Sequence, residues 1–113
     1  MKIRSPLPSC DDTCPVRKTA EVIDRKWVTL IVRDLLDGKK RYSEPQRSLV
    51  GISPKVLAER LRFLAERGIL TKTIYPTVPP TTEYELTELG QQLQGVIQAM
   101  AEFGHALVAD TAG

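Results

Sequence analysis

The sequence predicts a mainly α fold with a small β-hairpin: a winged helix-turn-helix carrying an added dimerisation helix at each end. Three observations predict it. Two helical stretches meet at a glycine turn, Gly51-Ile52-Ser53-Pro54; two runs rich in β-branched and aromatic residues follow at once; and an apolar-striped helix closes the chain. At 113 residues there is room for one domain with a real core and little beyond it. The expected division is a flexible arm over 1–13, a single domain over 14–108 and a tail over 109–113.

Taken in order, CPVRKTAEVID (14–24) has Pro15 near the first helical position and Val16, Ala20 and Ile23 at spacings of four and three, a short amphipathic helix. Residues 26–37 place Trp27, Leu30, Ile31 and Leu35 on one stripe, and Gly38 follows where a helix ends. Lys39, Lys40 and Arg41 then form a basic turn, and Ser43 is a good N-cap for a short helix ending near Leu49 or Val50. Gly51 permits a tight turn, Ser53 caps, and Pro54 opens the next helix, which runs to Arg67 with Leu57, Leu61 and Leu64 inward and Gly68 as its stop. ILTKTIYP (69–76) and TTEYELT (81–87) read as two strands around a proline-stiffened tip, making a wing over 69–87. Thr87 caps one long helix, 87–108, whose stripe is Leu89, Leu93, Val96, Ile97, Met100, Phe103 and Leu107.

Charge is unevenly distributed. Residues 1–72 hold all 16 Lys and Arg against 9 acidic side chains, whereas residues 73–113 hold 5 acidic side chains and no basic one. A basic part joined to an acidic one suits contact with a polyanion. No apolar run approaches the roughly 20 residues that span a membrane, and MKIRSPLPS lacks a signal peptide's apolar centre, so a cytoplasmic protein without membrane contact is expected.

In a winged helix-turn-helix the second helix of the motif enters the DNA major groove while the first crosses the backbone. Here the second is 53–67, and its outward positions are Ser53, Lys55, Ala58, Glu59 and Arg62. Lys55 and Arg62 suit phosphate or guanine, and Ala58 allows close approach or meets a thymine methyl. Ser53 brings a hydroxyl, and Glu59 accepts from cytosine or pairs with Lys55 or Arg62 along the helix. Lys39, Lys40, Arg41, Ser43 and Arg47 lie where backbone contacts are expected, and Lys72 lies on the wing. The same charges on an ordinary solvated helix would signify only surface ion pairs. The turn, the hairpin and the charge asymmetry together favour DNA.

These residues also resemble a known family. CPV near the start, DRKWVTLIVRDLLDGKKRYSEPQRSLVGISPKVLAERLRFLAERGIL, and IYPTVPPTTEYELTELG with the closing helix are similar to the HxlR-type winged-helix transcriptional regulators of bacteria and archaea. The resemblance covers about residues 14–105 and implies a homodimer, joined through the first and last helices, on a palindromic promoter site of double-stranded DNA, often beside a gene it represses. Thr81 stands where members often carry a basic residue, and Lys72 where they usually carry arginine. Among similar proteins a cysteine in the CPV context senses quinones, aldehydes or hypochlorite. The resemblance thus implies that Cys14 is a sensor, with a small oxidant or electrophile as inducer.

The residues themselves leave two readings of Cys14. It lies beside the first helix's N-terminus, where thiolates, the species that oxidants attack, are favoured; Arg17 and Lys18 are near, and Asp11 and Asp12 act oppositely. It is equally a small packing residue. Cys10, in the arm, is a resolving partner or a bystander. One histidine, His105, with two cysteines falls short of four zinc ligands and of a nucleophile-base-orienter set, so no enzyme, metal or cofactor is expected. The rival function is a winged-helix protein-interaction module that does not bind DNA sequence-specifically.

Overall fold

The computed structural model describes residues 11–42 and 49–112. Their order is α1 (Pro15–Ile23), α2 (Val28–Leu35), β1 (Lys40–Arg41), α3 (Pro54–Glu66), β2 (Leu70–Tyr75), β3 (Thr81–Leu86), α4 (Glu88–Gln91) and α5 (Leu93–Ala112). The short helix expected from Ser43, with Arg47 on it, lies outside the described residues except for its last positions; Cys10 also lies outside them.

α1 starts on Pro15 and closes where the Asp24 amide donates to Ala20 O at 2.9 Å. None of its residues is buried, and Val16 is 61% exposed, so the stripe of Val16, Ala20 and Ile23 is only partly covered, by Val22 and Ile23 packing on the core. In α2 the expected stripe is shifted. Trp27 takes a left-handed backbone conformation (φ 82°) just ahead of the helix, so that helical geometry begins at Val28. Val28, Ile31, Val32 and Leu35 are buried, a repeat of three, one and three that covers one helical face, and Leu30 is turned outward.

α3 opens as expected. Ser53 Oγ accepts from the Val56 amide at 3.2 Å, Pro54 takes the first position, and Leu57, Leu61 and Leu64 are buried. Its end is a Schellman turn: Gly68, at φ 75°, donates to Ala65 O (3.1 Å) and Ile69 donates to Leu64 O (2.9 Å). The left-handed value is one that glycine adopts without a Cβ clash.

The expected two-stranded hairpin is a three-stranded antiparallel sheet, in order β1-β3-β2. β2 and β3 pair from Leu70 opposite Leu86 to Tyr75 opposite Thr81, and Lys40 and Arg41 pair with Tyr84 and Glu83 on the other edge of β3. That edge needs partners for its amides and carbonyls, and the two extended residues after Gly38 supply them. The basic turn of the sequence is thus partly a strand.

The closing helix is also divided. Thr87 Oγ1 accepts from the Gly90 amide (3.1 Å) as the expected N-cap. After Gln91 the ladder tightens to an i→i−3 bond, Gln92 N–H to Leu89 O at 3.1 Å, and α5 then continues to Ala112, beyond the expected end at 108. Gly90 presses on the Ile69 carbonyl so closely that a Cβ would overlap its oxygen. The core gathers Val28, Ile31, Val32, Leu35, Leu49, Ile52, Leu57, Leu61, Leu64, Ile69, Leu70, Tyr84, Leu86 and Leu93. The far half of α5 leaves it: Met100, Phe103, Leu107 and Val108 are exposed. The radius of gyration, 16.4 Å, exceeds the roughly 13 Å of a closely packed chain of this length.

Two substitutions test this packing by urea unfolding. Leu61→Ala is expected to cost about 2–5 kcal/mol, as for other fully buried leucines. Gly90→Ala is expected to cost roughly 2–3 kcal/mol by overpacking against Ile69.

Candidate nucleic-acid interface

The buried leucines fix how α3 is rotated about its own axis. With Leu57, Leu61 and Leu64 inward, Lys55, Ala58 and Arg62 share the exposed face at spacings of three and four, and Ser53 stands exposed at its start. Among the described residues Lys55 and Arg62 make no ion pair. Glu59 is half-buried and its Oε2 lies 3.8 Å from Arg60 Nη1, so it pairs with neither Lys55 nor Arg62. The Ser53 oxygen already receives the Val56 amide, which leaves its O–H to donate to a phosphate or an acceptor on a base. The helix thus presents cation, small residue and cation along one ridge.

Several contacts hold that ridge in place. Tyr42 donates its hydroxyl to Pro54 O (2.9 Å), anchoring the first turn of α3. Arg60 turns away from the ridge, and its Nε donates to Lys26 O (2.9 Å); Arg25 stacks its guanidinium over the Phe63 ring at 3.9 Å. The linker between α1 and α2 is therefore clamped to α3. Neither Tyr42 nor Arg25 stood out in the sequence. Their partners lie 12 and 38 residues away, beyond the reach of any helical or strand period.

The remaining cations are distributed over the sheet. Lys40 and Lys72 both stand opposite Tyr84, so one row across three strands reads Lys40, Tyr84, Lys72. Burial, with Tyr42 adding to it, raises the Tyr84 phenol above its ordinary pKa. Lys39 Nζ lies 4.0 Å from Glu83 Oε1, and Arg41 is exposed opposite Glu83. Ser43 and Arg47 lie outside the described residues. The wing tip carries no charge: Val78 is 99% exposed, and Thr77 Oγ1 lies 3.3 Å from Thr81 Oγ1. At its base the Glu83 carboxylate accepts from the Tyr75 hydroxyl and repels a phenolate, raising the Tyr75 pKa.

Cys14 is the N-cap of α1. Its carbonyl accepts from the Lys18 amide (2.9 Å), but its side chain makes no capping bond. The sulfur is buried, with 4% of the residue exposed, yet it stands outside the main apolar cluster. Both nearby cations are engaged, Arg17 with Asp12 (3.7 Å) and Lys18 with Glu21 (3.9 Å). His105 is exposed on α5.

The family model for the HxlR-like helix-turn-helix matches residues 22–111, a span that includes α3 with its ridge and the wing that follows. The chain belongs to the HxlR-like helix-turn-helix family. Its relatives are transcriptional regulators: the uncharacterised HTH-type regulator YybR of Bacillus subtilis is 39% identical over 82% of this chain and 74% of its own length. A solved regulator described as of the MarR family, from Porphyromonas gingivalis W83, superposes with a TM-score of 0.83, at 40% identity over 87% of this chain and 96% of that one. The redox regulator HypR in its reduced form gives 0.78, at 38% identity over 81% and 91%. This HxlR-like chain is accordingly a DNA-binding transcriptional regulator and not an enzyme.

The ridge makes separable predictions for fluorescence anisotropy on duplex DNA across a salt series. Lys55→Ala and Arg62→Ala are each expected to lower the slope of log K against log salt by about 0.9 where the side chain meets a phosphate, and to relax base preference with little change of slope where it meets a base. Glu59→Gln should leave the slope unchanged. Ser53→Ala should cost about 1 kcal/mol of stability through loss of the cap.

Proposed function

We propose that this HxlR-like regulator is a cytoplasmic homodimer, paired through α1 and α5, that occupies a palindromic promoter site and represses the adjacent gene until the Cys14 thiol is oxidised or alkylated. The observation that carries the dimer is the apolar surface that the chain leaves uncovered at both ends: Val16 on α1, and Met100, Phe103, Leu107 and Val108 on α5. Phe103, 68% exposed, is the largest of these side chains. Surface of this kind is stabilised by a second apolar surface, and a two-fold axis supplies one. The same axis sets two recognition helices about 34 Å apart, one turn of DNA.

The thiol switch is supported by place rather than by exposure. Cys14 begins the helix assigned to the interface, and the α1–α2 linker is clamped to α3 through Arg60 and Arg25. A sulfur that gains bulk or a covalent partner in its buried position must move α1, and that movement is transmitted to the recognition helix. A disulfide forms with Cys10 or across the dimer; diamide accepts the two hydrogens the thiols give up. That HypR is a redox regulator with reduced and oxidised structures supports this reading.

Three measurements test it. Sedimentation at micromolar concentration should give a dimer for the native chain and a monomer for Phe103→Glu, which should lose at least tenfold in operator affinity. Gel shifts on DNA upstream of its own gene should show retardation that diamide, quinone or hypochlorite abolishes, and Cys14→Ser should stay bound under all three. Retardation of Cys14→Ser lost as readily as that of the native chain would leave Cys14 as packing, and indifference to DNA sequence would favour the protein-interaction module.

A further inference from the structure

Between α1 and the root of the closing helix lies an open cavity of about 380 Å³, which the recognition ridge does not use. Its floor is apolar, formed by Val22 of α1, Ile69 just past α3, and Leu93 and Val96 of α5. Lys18 and Arg67 also line it, and among its described lining residues there is no carboxylate. Both cations are exposed. Lys18 has Glu21 beside it at 3.9 Å, and Arg67 keeps its guanidinium 5.3 Å from the Phe63 ring, with no ion pair to a described residue. Thr19 also lines the cavity, but its hydroxyl is already donated to Pro15 O (2.9 Å). Gln92 offers an uncharged amide.

We infer that this cavity is an effector site for a small amphiphilic carboxylate, a monoanion with one apolar body. Two cations above an apolar floor favour an anionic head joined to a hydrophobic tail, and nothing in the lining would repel the head. The volume lies in the range of small-molecule pockets and suits roughly ten to fifteen non-hydrogen atoms. The cavity's walls belong to four parts of the molecule: α1, which Cys14 caps, the exit of α3 at Arg67 and Ile69, α4 at Leu89 with Gln92 after it, and α5. A ligand seated there braces α1 at one angle to α3, and so favours whichever arrangement of the two leaves the cavity open. Any difference between DNA-bound and free protein in that angle becomes a difference in ligand affinity, and the coupling is reciprocal. This regulatory half rests on the DNA-binding reading above; the binding half does not.

The probe is 4-phenylbutyrate, with its neutral amide, 4-phenylbutyramide, as control, titrated into the 113-residue chain while amide NMR shifts are followed. The expected result is saturable shifts at Lys18, Val22, Leu93 and Val96 with a dissociation constant of roughly 0.1–1 mM, reasonable for a ligand of this size. The amide, and the Lys18→Gln/Arg67→Gln double variant, should bind at least tenfold more weakly; both substitutions are at exposed positions, and unchanged melting without ligand verifies the fold. Saturating 4-phenylbutyrate should change operator affinity at least threefold. Absence of shifts at about 10 mM, including the case in which the second copy covers the cavity, overturns the site, as does equal binding of the amide or the double variant. Binding without any change in operator affinity overturns the effector role. Failure of the DNA reading would appear separately, as an unliganded protein that binds no duplex.

Discussion

The junction of Gly68 and Ile69 with Thr87 is the constraint on which the rest of the molecule depends. Thr87 donates its hydroxyl to the Gly68 carbonyl at 2.6 Å, its amide donates to Ile69 O at 2.9 Å, and the same side-chain oxygen starts α4 by accepting from Gly90. One threonine therefore joins the end of the recognition helix, the base of the wing and the root of the closing helix. Gly90 makes the joint possible, because only a residue without a Cβ can bring α4 this close to the Ile69 backbone. The orientations of ridge, sheet and closing helix are thus set at one place.

Much of this was legible in the sequence because it is local. Caps at Ser53 and Thr87, the stop at Gly68, and the period of Leu57, Leu61 and Leu64 are signals confined to a few residues, and each appears in the structure as expected, whereas the helix expected to reach Asp37 ahead of Gly38 ends at Leu35. What escaped depends on distant partners. Lys40 and Arg41 have the charge of a turn and become a strand only because β3 has an edge to fill. The phase of α2 depends on the backbone of Trp27, a left-handed residue with a bulky side chain, which no period predicts. The division at Gln92 lies two residues past Gly90, whose close contact with Ile69 spans 21 positions.

The candidate interface was legible to the same extent. Outward residues of α3 follow directly from inward ones, so Lys55, Ala58 and Arg62 could be named in advance. The same period left Arg60 off the outward face but could not name its partner, the Lys26 carbonyl 34 residues away. The fate of Cys14 was equally closed to pattern. The helix start left a reactive sulfur and a small packing residue as equal readings, and the folded chain buries Cys14 while leaving the rest of α1 uncovered.

The closing helix has a mechanical consequence. Its 20 residues extend about 30 Å, and the side chains it gives to the core, Leu93, Val96 and Ile97, lie near its root. It is a lever with a short fixed end. A rotation of about 5° at the root sweeps the tip through roughly 2.6 Å, nearly half of one helical turn's 5.4 Å pitch. In the proposed dimer, a sub-ångström adjustment near Gly90 would be magnified at the tips of two such levers into a change in the distance between the two α3 ridges, and DNA with a fixed pitch would act as the gauge.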